Sequence, residues 1–325
     1  MKKKKLIWAL VDDRTGNKNQ ILGVLKELAL PFKIKEVKYN FFANFPNFII
    51  QLLGGSTHIK KFKNIYMPPF PNVILSCGRR TFPLANKLKK NIEPTPRFVH
   101  LMYPKYSLDI KNTDIIFTPK HDNIRNKSNL YKTLGTANQI NCLLKKNMPI
   151  KISKPIISIL IGGNHGRYKM KTAVIQKIIN TVSFRMGERG SILISTSRRT
   201  SDDIISYLNK IIEKNILIKN IYHPKTTKKK NSLNQMLSFA DEIIVTGDSM
   251  SMVSESCELK KPVRIFFNKD ICAPKHIDFC KSLISEGYAF PFETLLKKCH
   301  KIKVLKTTKL ISNKIKIIMK NEKIK

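Results

Sequence analysis

The sequence predicts an α/β protein with two doubly wound, Rossmann-like domains that face each other across a cleft. Short apolar runs alternate with helical patterns from end to end, which is typical of a parallel sheet covered by helices on both faces. The alternation breaks at residues 143–155, a stretch rich in Lys and Pro, and then starts again. The segments SCGRRT (76–81) and STSRRT (195–200) each end a strand and begin a helix. This internal echo indicates two related halves.

In the first half, apolar runs predict strands and the 3.6-residue spacing predicts helices. The strands are expected at 6–12, 33–39, 72–77, 97–103 and 114–119, and the helices at 19–30 and from 78 to 88. The run LIWALVD (6–12) shows no polar alternation, so we expect both faces of that strand to be buried. We therefore predict a first domain over residues 1–148.

The second half repeats the pattern. Strands are expected at 155–163, 191–197, 216–222, 241–247 and 262–267, and helices at 171–187, 202–213, 232–240, 251–259, near 277–286 and at 308–320. We place the second domain at 149–300. Residues 301–325 form a basic tail whose helix has an apolar face, so we expect it to pack back on the first domain or to lie on a membrane.

Composition limits the classes of partner. The chain has 325 residues, 42% of them hydrophobic, which is enough for two packed cores and excludes wholesale disorder. Lys and Arg number 61 against 22 Asp and Glu, a net charge of +39, which favours anionic partners. However, the charge is spread over both halves and most of the cations are Lys, a mixture typical of an AT-rich genome. Because a nucleic-acid site would concentrate charge and Arg, we predict no nucleic-acid partner and retain anion binding.

The sequence also bears on location and on metals. The start, MKKKKLIWALVDD, has six apolar residues before its two acids, too few for a secretory signal, and no apolar run approaches the roughly 20 residues of a membrane span. We therefore expect a cytoplasmic protein with reduced cysteines. Cys272, His276 and Cys280 are spaced to share a helix face, but no fourth ligand is evident, so we predict no metal site.

The first candidate anion site is LIGGNHGRY (160–168). A buried strand runs into Gly162, Gly163 and Asn164, and a helix follows. Glycines allow backbone N–H groups to approach a phosphate closely. An ordinary strand-to-helix turn explains the same glycines. The segment matches neither the Walker pattern nor a complete GxGxxG, so both interpretations stay open.

The second and stronger candidate is TGDSMSMVSESCELKKP (246–262). The preceding strand brings small and polar residues to the carboxyl edge of the sheet, where such folds bind ligands: Thr246, Gly247, Asp248, Ser249 and Ser251. The helix that follows begins with hydroxyl groups, and its N-terminus favours an anion. Glu255 lies about one turn inside that helix, where its carboxylate is placed to accept both hydroxyls of a ribose. Helix capping explains one or two of these residues but not the whole set.

The sequence resembles the plant mitochondrial fission protein family and its bacterial relatives, described as predicted nucleoside-diphosphate-sugar enzymes. The resemblance covers nearly the whole chain. It rests on six segments in a specific order: WALVDDRTGNKNQILG (8–23), SCGRRT (76–81), TPKHDN (118–123), LIGGN (160–164), STSRRT (195–200) and VTGDSMSMVSE (245–255). The family itself resembles GT-B glycosyltransferases, which implies a GT-B-like fold.

The resemblance implies roles for the second candidate site. Ser254-Glu255, followed seven residues later by Pro262, is similar to the nucleotide-sugar helix of the peptidoglycan N-acetylglucosaminyltransferase. By this resemblance Glu255 binds the ribose, the loop Gly162–Asn164 faces the diphosphate, and the second domain holds the donor. Two residues depart from the pattern, since Lys260 and Asp13 stand where Gly is usual. We expect the first to alter the turn before Pro262 and the second to narrow the first loop.

The first domain would then hold the acceptor. Asp12 ends a strand, and a carboxylate at a strand end in a cleft can act as a general base. The alternative is capping at the entry of the following helix, which we expect Asn19 and Gln20 to begin. His121 also follows a strand, with Asp122 beside it, and is a second candidate base.

Two arginine pairs follow strands in the two halves. Arg79 and Arg80 are assigned to the acceptor side, and Arg198, beside Arg199, to the nucleotide sugar, because guanidinium groups can stabilise a leaving diphosphate. Surface helix charge is the alternative, and we expect it for at least one arginine of each pair.

The segment FFANFPNFIIQLLGG (41–55) is aromatic and apolar and is followed by the basic HIKKFK. A core helix is the common explanation. The other is shallow insertion into an anionic membrane that carries a lipid or envelope acceptor. This second interpretation would place the cytoplasmic protein peripherally on the inner membrane.

These observations lead to one functional hypothesis and two rivals. The leading one is a metal-independent GT-B glycosyltransferase that uses a nucleotide-diphosphate sugar, UDP-linked, as substrate and needs no cofactor. The first rival is an epimerase of the same donor. The second is a non-catalytic GT-B-like adaptor at a membrane, as the fission role of the plant relatives suggests.

Overall fold

The computed structural model describes residues 5–122, 124–140, 151–224, 232–294 and 302–320. The chain forms two compact units, Met1–Gln139 together with Lys306–Lys325, and Ile140–Leu305. We call them the N-terminal and the C-terminal unit. The boundaries expected from the sequence, at 148/149 and 300/301, lie outside the described residues.

The N-terminal unit is an α/β structure with a six-stranded sheet. Its elements are β1 (Ile7–Val11), α1 (Thr15–Leu28), β2 (Phe32–Glu36), β3 (Lys38–Tyr39), α2 (Asn47–Leu52), β4 (Ile59–Lys60), α3 (Phe62–Ile65), β5 (Val73–Cys77), α4 (Phe82–Asn91), β6 (Arg97–Leu101), β7 (Ile115–Pro119) and β8 (Leu130–Thr133). The sheet order is β2-β1-β5-β6-β7-β8, with every pair parallel. The short strands β3 and β4 form a separate antiparallel pair.

Both faces of this sheet are covered, as the apolar runs require. Every residue of β1 and β5 is buried. On one face, side chains of these strands pack against α1, for example Ile21 and Val24, and on the other against α4, for example Leu84 and Leu88. Near-continuous burial removes polar alternation from the central strands, which is why they are recognisable in the sequence.

The chain's last helix belongs to the N-terminal unit. This helix (Thr307–Lys320) packs along α1 and buries Ile311, Ile315 and Met319. Ser312 donates a hydrogen bond to the carbonyl of Val24 at 3.4 Å. The amphipathic pattern of the tail therefore reflects packing on its own unit.

The C-terminal unit repeats the architecture. Its elements are β9 (Ile156–Leu160), α5 (Thr172–Met186), β10 (Ser191–Ser195), α6 (Asp202–Ile212), β11 (Ile218–Tyr222), α7 (Ser232–Phe239), β12 (Glu242–Thr246), α8 (Met250–Cys257), β13 (Val263–Phe266), α9 (Pro274–Ser285) and β14 (Phe290–Pro291), and the last helix of the chain is α10. The sheet order is β11-β10-β9-β12-β13-β14, again all parallel. The prediction of α/β units with parallel sheets is confirmed.

A largely buried group of one carboxylate and two guanidinium groups links β12 to β13 and α5. Glu242 accepts hydrogen bonds from Arg264 Nε and Arg185 Nη2, each at 2.5 Å. Arg264 is 2% exposed and also donates to the carbonyl of Thr294 at 2.6 Å. A buried guanidinium is tolerated only with such partners, so Glu242 fixes β12 to β13 and α5.

Candidate functional site

The candidate site is the carboxyl edge of the C-terminal sheet. Strands β10, β9 and β12 are neighbours and parallel, so their ends meet at one edge. The residues that leave this edge are 161–164, 196–200 and 247–251. We call these three segments the rim. They contain both candidate motifs of the sequence, which the fold therefore brings together.

Asp248 is at the centre of the rim. Its carboxylate is completely buried and accepts hydrogen bonds from Gly163 N at 2.8 Å and from Thr246 Oγ1 at 2.7 Å. Arg199 Nη2 lies 3.3 Å from the same carboxylate. Burial raises the pKa of Asp248, and the hydrogen bonds from Gly163 and Thr246 oppose that shift. Asp248 thus connects all three rim segments.

The glycines of the first motif serve this packing. A Cβ on Gly162 would lie 2.1 Å from the Asp248 carboxylate, and one on Gly163 would lie 2.2 Å from the backbone of Arg199. Only glycine allows such an approach.

The amides of this loop are already engaged. Gly162 N donates to Thr246 Oγ1 at 2.8 Å, Gly163 N donates to Asp248, and Asn164 N donates to the Arg199 carbonyl at 3.1 Å. The protein's own oxygens already accept these N–H groups. A diphosphate contact by Gly162, Gly163 and Asn164 stays a prediction, and it would have to use other atoms of the loop.

Thr246, Gly247 and Asp248, which the sequence assigns to the nucleotide, also make contacts within the protein. The Thr246 hydroxyl is buried between the Gly162 amide and Asp248. A Cβ on Gly247 would lie 2.7 Å from Cys280 Sγ on α9, so Gly247 allows α9 to pack closely. Nucleotide contacts by these three residues stay a prediction.

The start of α8 is the open part of the rim. Ser249 is the N-cap but makes no side-chain capping bond. The first amide bonded back to the N-cap is Val253 N, which donates to the Ser249 carbonyl at 3.0 Å. Within the described part of the chain, the amides of Met250, Ser251 and Met252 have no acceptor. Three free N–H groups at the positive end of a helix dipole are electrostatically favourable for an anion.

Glu255 lies on the same helix, in the following turn. It is half-buried, and no described residue forms a hydrogen bond or an ion pair with its carboxylate. Burial, together with the negative charge of Glu258, raises the pKa of Glu255 to about 7. A desolvated carboxylate without a partner is unfavourable in the folded protein, and hydroxyl donors from a ligand would relieve this.

The two neighbouring arginines of the rim, Arg198 and Arg199, have different surroundings. Arg198, which the sequence analysis selected, is exposed, and no described contact involves it. Arg199 instead reaches Asp248 and donates to the Asn164 carbonyl at 3.2 Å. Because Arg198 and Arg199 are adjacent and identical, the sequence alone does not show which of them contacts Asp248. Nucleotide binding by Arg198 stays a prediction.

Asp12, the candidate base, ends β1 in the N-terminal unit. It is 6% exposed and accepts hydrogen bonds from Asn17 Nδ2 at 3.2 Å and from Arg14 N at 3.2 Å. Tyr39 OH lies 3.4 Å from the same carboxylate. Burial raises the pKa of Asp12. Asp12 is not the N-cap of α1, because that position is Arg14.

The sequence analysis missed the aromatic residues beside Asp12. The rings of Tyr39 and His58 stack with centroids 5.7 Å apart, and His58 Nε2 contacts the Arg80 carbonyl at 2.8 Å. The Arg80 guanidinium lies 5.6 Å from the Tyr39 ring. Arg80 therefore belongs to the surroundings of Asp12. Tyr39 and His58 lie in weakly patterned segments, so the sequence did not single them out.

Three other residues assigned to the acceptor side have contacts or burial within the fold. Arg79 donates to the carbonyls of Ala43 and Phe45 and so fastens the segment that follows β3. Asn19 accepts a hydrogen bond from Gln139 Nε2 at 2.9 Å, and Gln20 is buried. Asn19 and Gln20 do not begin α1, which starts at Thr15.

The second candidate base follows β7. His121 lies in a 3-10 turn, Lys120–Asp122, and is half-buried. The Asp122 carboxylate accepts a hydrogen bond from Thr118 Oγ1 at 3.2 Å. A catalytic role for His121 stays a prediction.

The residues spaced as candidate metal ligands lie in and before α9. Within the described residues, no group of three His, Cys, Asp or Glu side chains is arranged to hold a metal ion. Cys272, His276 and Cys280 are all buried, and Cys280 Sγ contacts the Gly247 carbonyl at 3.8 Å.

Comparison with known proteins identifies relatives of this chain. The family described as mitochondrial fission ELM1 matches residues 15–317. An uncharacterised Rickettsia prowazekii protein, RP120, is 28% identical, over 98% of this chain and 99% of its own length. The Arabidopsis thaliana mitochondrial fission protein ELM1 is 23% identical, over 71% of this chain. The match spans 59% of the Arabidopsis protein.

Solved structures share the fold at low sequence identity. A candidate UDP-N-acetylglucosamine 2-epimerase from Listeria monocytogenes superposes with a TM-score of 0.63 at 11% identity, over 98% of this chain and 96% of its own. The Methanocaldococcus jannaschii UDP-GlcNAc 2-epimerase in complex with UDP-GlcNAc and UDP gives 0.53 at 13% identity, over 97% and 100%. A Rickettsia africae glycosyltransferase gives 0.51 at 12% identity, over 98% of both chains. The chain therefore belongs to the mitochondrial fission ELM1 family and has the GT-B-like fold of glycosyltransferases and UDP-GlcNAc 2-epimerases.

Proposed function

We propose that this protein is a GT-B-type glycosyltransferase that binds a UDP-linked sugar at the start of α8. The observation that carries the proposal is the pairing of three free amides at the α8 N-terminus with an unpartnered carboxylate, Glu255, on the same helix. From Ser251 to Glu255 the helix rises by about 6 Å, which suits a diphosphate at one end and a ribose at the other. Solved structures of the same fold were obtained with UDP-GlcNAc bound, which supports this ligand class.

The proposed chemistry needs no metal ion. The α8 amides bind the diphosphate and stabilise the negative charge that develops as it leaves. Asp12 takes the proton of the acceptor hydroxyl, whose oxygen attacks the anomeric carbon of the sugar. The bond between that carbon and the diphosphate oxygen breaks, and the nucleoside diphosphate leaves with the electron pair. Burial raises the pKa of Asp12, which makes its carboxylate a stronger base than a solvent-exposed aspartate.

Calorimetry separates this proposal from its rivals. We expect UDP and UDP-sugars to bind with higher affinity than GDP. If none of them binds at millimolar concentration, the adaptor hypothesis is favoured instead. If a bound UDP-sugar is converted to an isomer without any acceptor, as followed by proton NMR of the sugar, the protein is an epimerase.

Glu255→Gln is expected to weaken UDP binding about tenfold, because hydrogen bonds to a charged group are worth about 1.5–3 kcal/mol and the amide keeps only part of them. The wild-type affinity should increase as pH increases through about 7, since the carboxylate must be ionised to accept the ribose hydroxyls. Calorimetry at several pH values measures both effects.

The matched control is Glu258→Gln, on the neighbouring turn. The Glu255 variant should lose the pH dependence that belongs to residue 255. The Glu258 variant should keep it with a midpoint at lower pH, because the negative charge of Glu258 contributes to the raised pKa of Glu255. Protein stability gives a second check: a carboxyl with a raised folded-state pKa stabilises the fold most below pH 4.5, and this contribution is lost as pH increases to about 7. Equal UDP affinity of wild type and Glu255→Gln would remove Glu255 from the site.

We also infer that the N-terminal unit docks on an anionic membrane where the acceptor is a lipid. The segment after β3 does not form a core helix, but a 3-10 turn (Phe41–Asn44) and the short helix α2. Phe41 is 65% exposed, Leu52 74% and Tyr106 72%. We call the exposed apolar set the aromatic surface: Phe41, Phe45, Phe48, Leu52, Leu53, Tyr106 and Leu108. Solvent-exposed side chains of this size, beside lysines of β3 and β4, suit shallow insertion among anionic headgroups.

No helix in the described part of the chain is long and apolar enough to cross a membrane. If the aromatic surface inserts into a membrane, the double variant Phe41→Ser/Leu52→Ser should reduce binding to vesicles of phosphatidylcholine and phosphatidylglycerol by about tenfold, since burial of each side chain contributes about 1.5–3 kcal/mol when complete. Co-sedimentation measures the effect. Phe184→Ser/Ile216→Ser, which removes comparably exposed residues of the C-terminal unit, is the control. Equal losses in both variants would contradict docking through the aromatic surface.

A further inference from the structure

A lysine-lined cavity lies in the N-terminal unit, on residues that the proposed sugar-nucleotide site does not use. Its volume is about 510 Å³, within the range of about 300–1,000 Å³ that is common for small-molecule sites. Its charged lining consists of five lysines and one acid: Lys33, Lys35, Lys38, Lys60, Lys61 and Glu36. The lining is therefore strongly positive.

The lysines of this cavity outnumber its acid, Glu36, by five to one. Within the described part of the chain, none of the five forms an ion pair. Lys35 is only 4% exposed, and its Nζ donates to the Met67 carbonyl at 3.2 Å and lies 4.1 Å from the centre of the Trp8 ring. Burial and the charge of Lys33 lower the pKa of Lys35. A buried ammonium without a carboxylate is unfavourable unless an anion is supplied from outside.

The backbone also concentrates charge at this place. Lys38 and Lys60 are directly opposite each other in the antiparallel pair β3–β4. Like charges in this position destabilise the pairing of two strands. The next residue, Lys61, has a φ of +55°, a conformation that L-residues with side chains rarely adopt. Local arrangements that oppose stability are characteristic of functional sites.

We propose that this cavity binds an oligophosphate group, carried by a soluble molecule or by a lipid headgroup. Several ammonium groups around one cavity match the charge of two or three linked phosphates, and lysine binds phosphate as a point charge. Such a ligand would supply the counter-charge of Lys35 and relieve the repulsion between Lys38 and Lys60. The site is distinct from α8 and does not depend on the proposed transfer reaction.

The test is the double variant Lys38→Gln/Lys60→Gln, with tripolyphosphate as the soluble probe and phosphatidylcholine vesicles that carry a polyprenyl diphosphate as the lipid probe. In about 150 mM salt, which screens exposed charges beyond about 8 Å, we expect the affinity for one of the probes to fall about tenfold in the variant. The control Lys219→Gln/Lys281→Gln removes the same charge from exposed positions of the C-terminal unit and should change affinity less than about twofold. The melting temperature of the unliganded Lys38→Gln/Lys60→Gln variant should not decrease, because a repulsive pair has been removed.

The arms of the experiment identify the source of the phosphate. A variant-sensitive affinity for tripolyphosphate indicates a soluble ligand, and sensitivity with vesicles alone indicates a lipid headgroup. The tripolyphosphate titration is repeated in saturating UDP, and displacement by UDP would overturn the proposal, because the probe would then occupy the sugar-nucleotide site. Equal losses in the variant and the control would also overturn it, since they would show non-specific attraction to a chain of net charge +39.

Discussion

Asp12→Asn is expected to slow sugar transfer by about 10²–10⁴-fold, the usual contribution of a general base, while UDP affinity stays unchanged. Asparagine has nearly the volume of aspartate and can still accept from Arg14 N and Asn17 Nδ2, but it cannot take a proton from an acceptor hydroxyl. Single-turnover transfer assays measure the rate, and calorimetry measures the affinity. The matched control is Asp13→Asn, which removes the neighbouring, exposed carboxylate.

The same substitution, Asp12→Asn, is not expected to destabilise the protein, although it slows transfer. Since burial raises the pKa of Asp12 in the folded state, ionisation is easier in the unfolded chain. The stabilising contribution of this group is complete below its unfolded pKa and is lost as pH increases through the raised folded value. At neutral pH, Asp12→Asn should therefore leave the free energy of unfolding unchanged or raise it, as expected for a group kept for function. Full transfer activity in Asp12→Asn would discard Asp12 as the base.

The fold could be predicted because its central strands are buried on both faces. In β1, β5, β9 and β10 every residue is buried, so each appears in the sequence as a run of apolar residues with no polar residue larger than serine. The edge strand β2 is different, since four of its five residues are exposed and its sequence, FKIKE, alternates. The strand β8 (Leu130–Thr133) was missed because its residues are only partly buried and follow a polar segment.

The segment 41–55 shows where hydrophobic pattern alone is insufficient. Its composition fits a core helix, yet Pro46 separates a 3-10 turn from α2, and Arg79 fastens the turn by its carbonyls. The segment thus follows the edge of the unit with Phe41 and Leu52 in solvent. Such contacts join residues more than 30 positions apart, which local periodicity does not record.

The sequence predicted which segments meet at the rim, but it did not predict the contacts that they make there. The two motifs at the rim do meet, as expected for parallel strands. However, the sequence does not tell whether the space beside a glycine is occupied by a ligand phosphate or by a carboxylate of the protein itself. The structure shows the second case at Gly162, where Asp248 occupies the space next to the Cα. Only the start of α8 and Glu255 keep the openness that the sequence analysis assigned to the whole set.

This correction gives Asp248 a structural role that can be measured. Asp248→Ala is expected to lower the free energy of unfolding by about 3–5 kcal/mol, because it leaves buried donors without an acceptor and a nearby guanidinium without its counter-charge. Those donors are the Gly163 amide, the Thr246 hydroxyl and Arg199. UDP affinity should fall as well, since Asp248 immediately precedes the N-cap of α8 and joins it to Gly163 in the loop after β9. Urea unfolding, with calorimetry on the folded fraction, measures the two effects.

Two further variants distinguish the loss of the hydrogen bonds made by Asp248 from the simple loss of a negative charge. Asp270→Ala removes an exposed carboxylate of the same unit and should change the free energy of unfolding by less than about 0.5 kcal/mol. Asp248→Asn keeps the volume and one acceptor oxygen, so its stability should lie between those of Asp248→Ala and the wild type. If Asp248→Ala were as stable as Asp270→Ala, the carboxylate would not hold the three rim segments together. The free amides of α8 would then owe their arrangement to the helix alone.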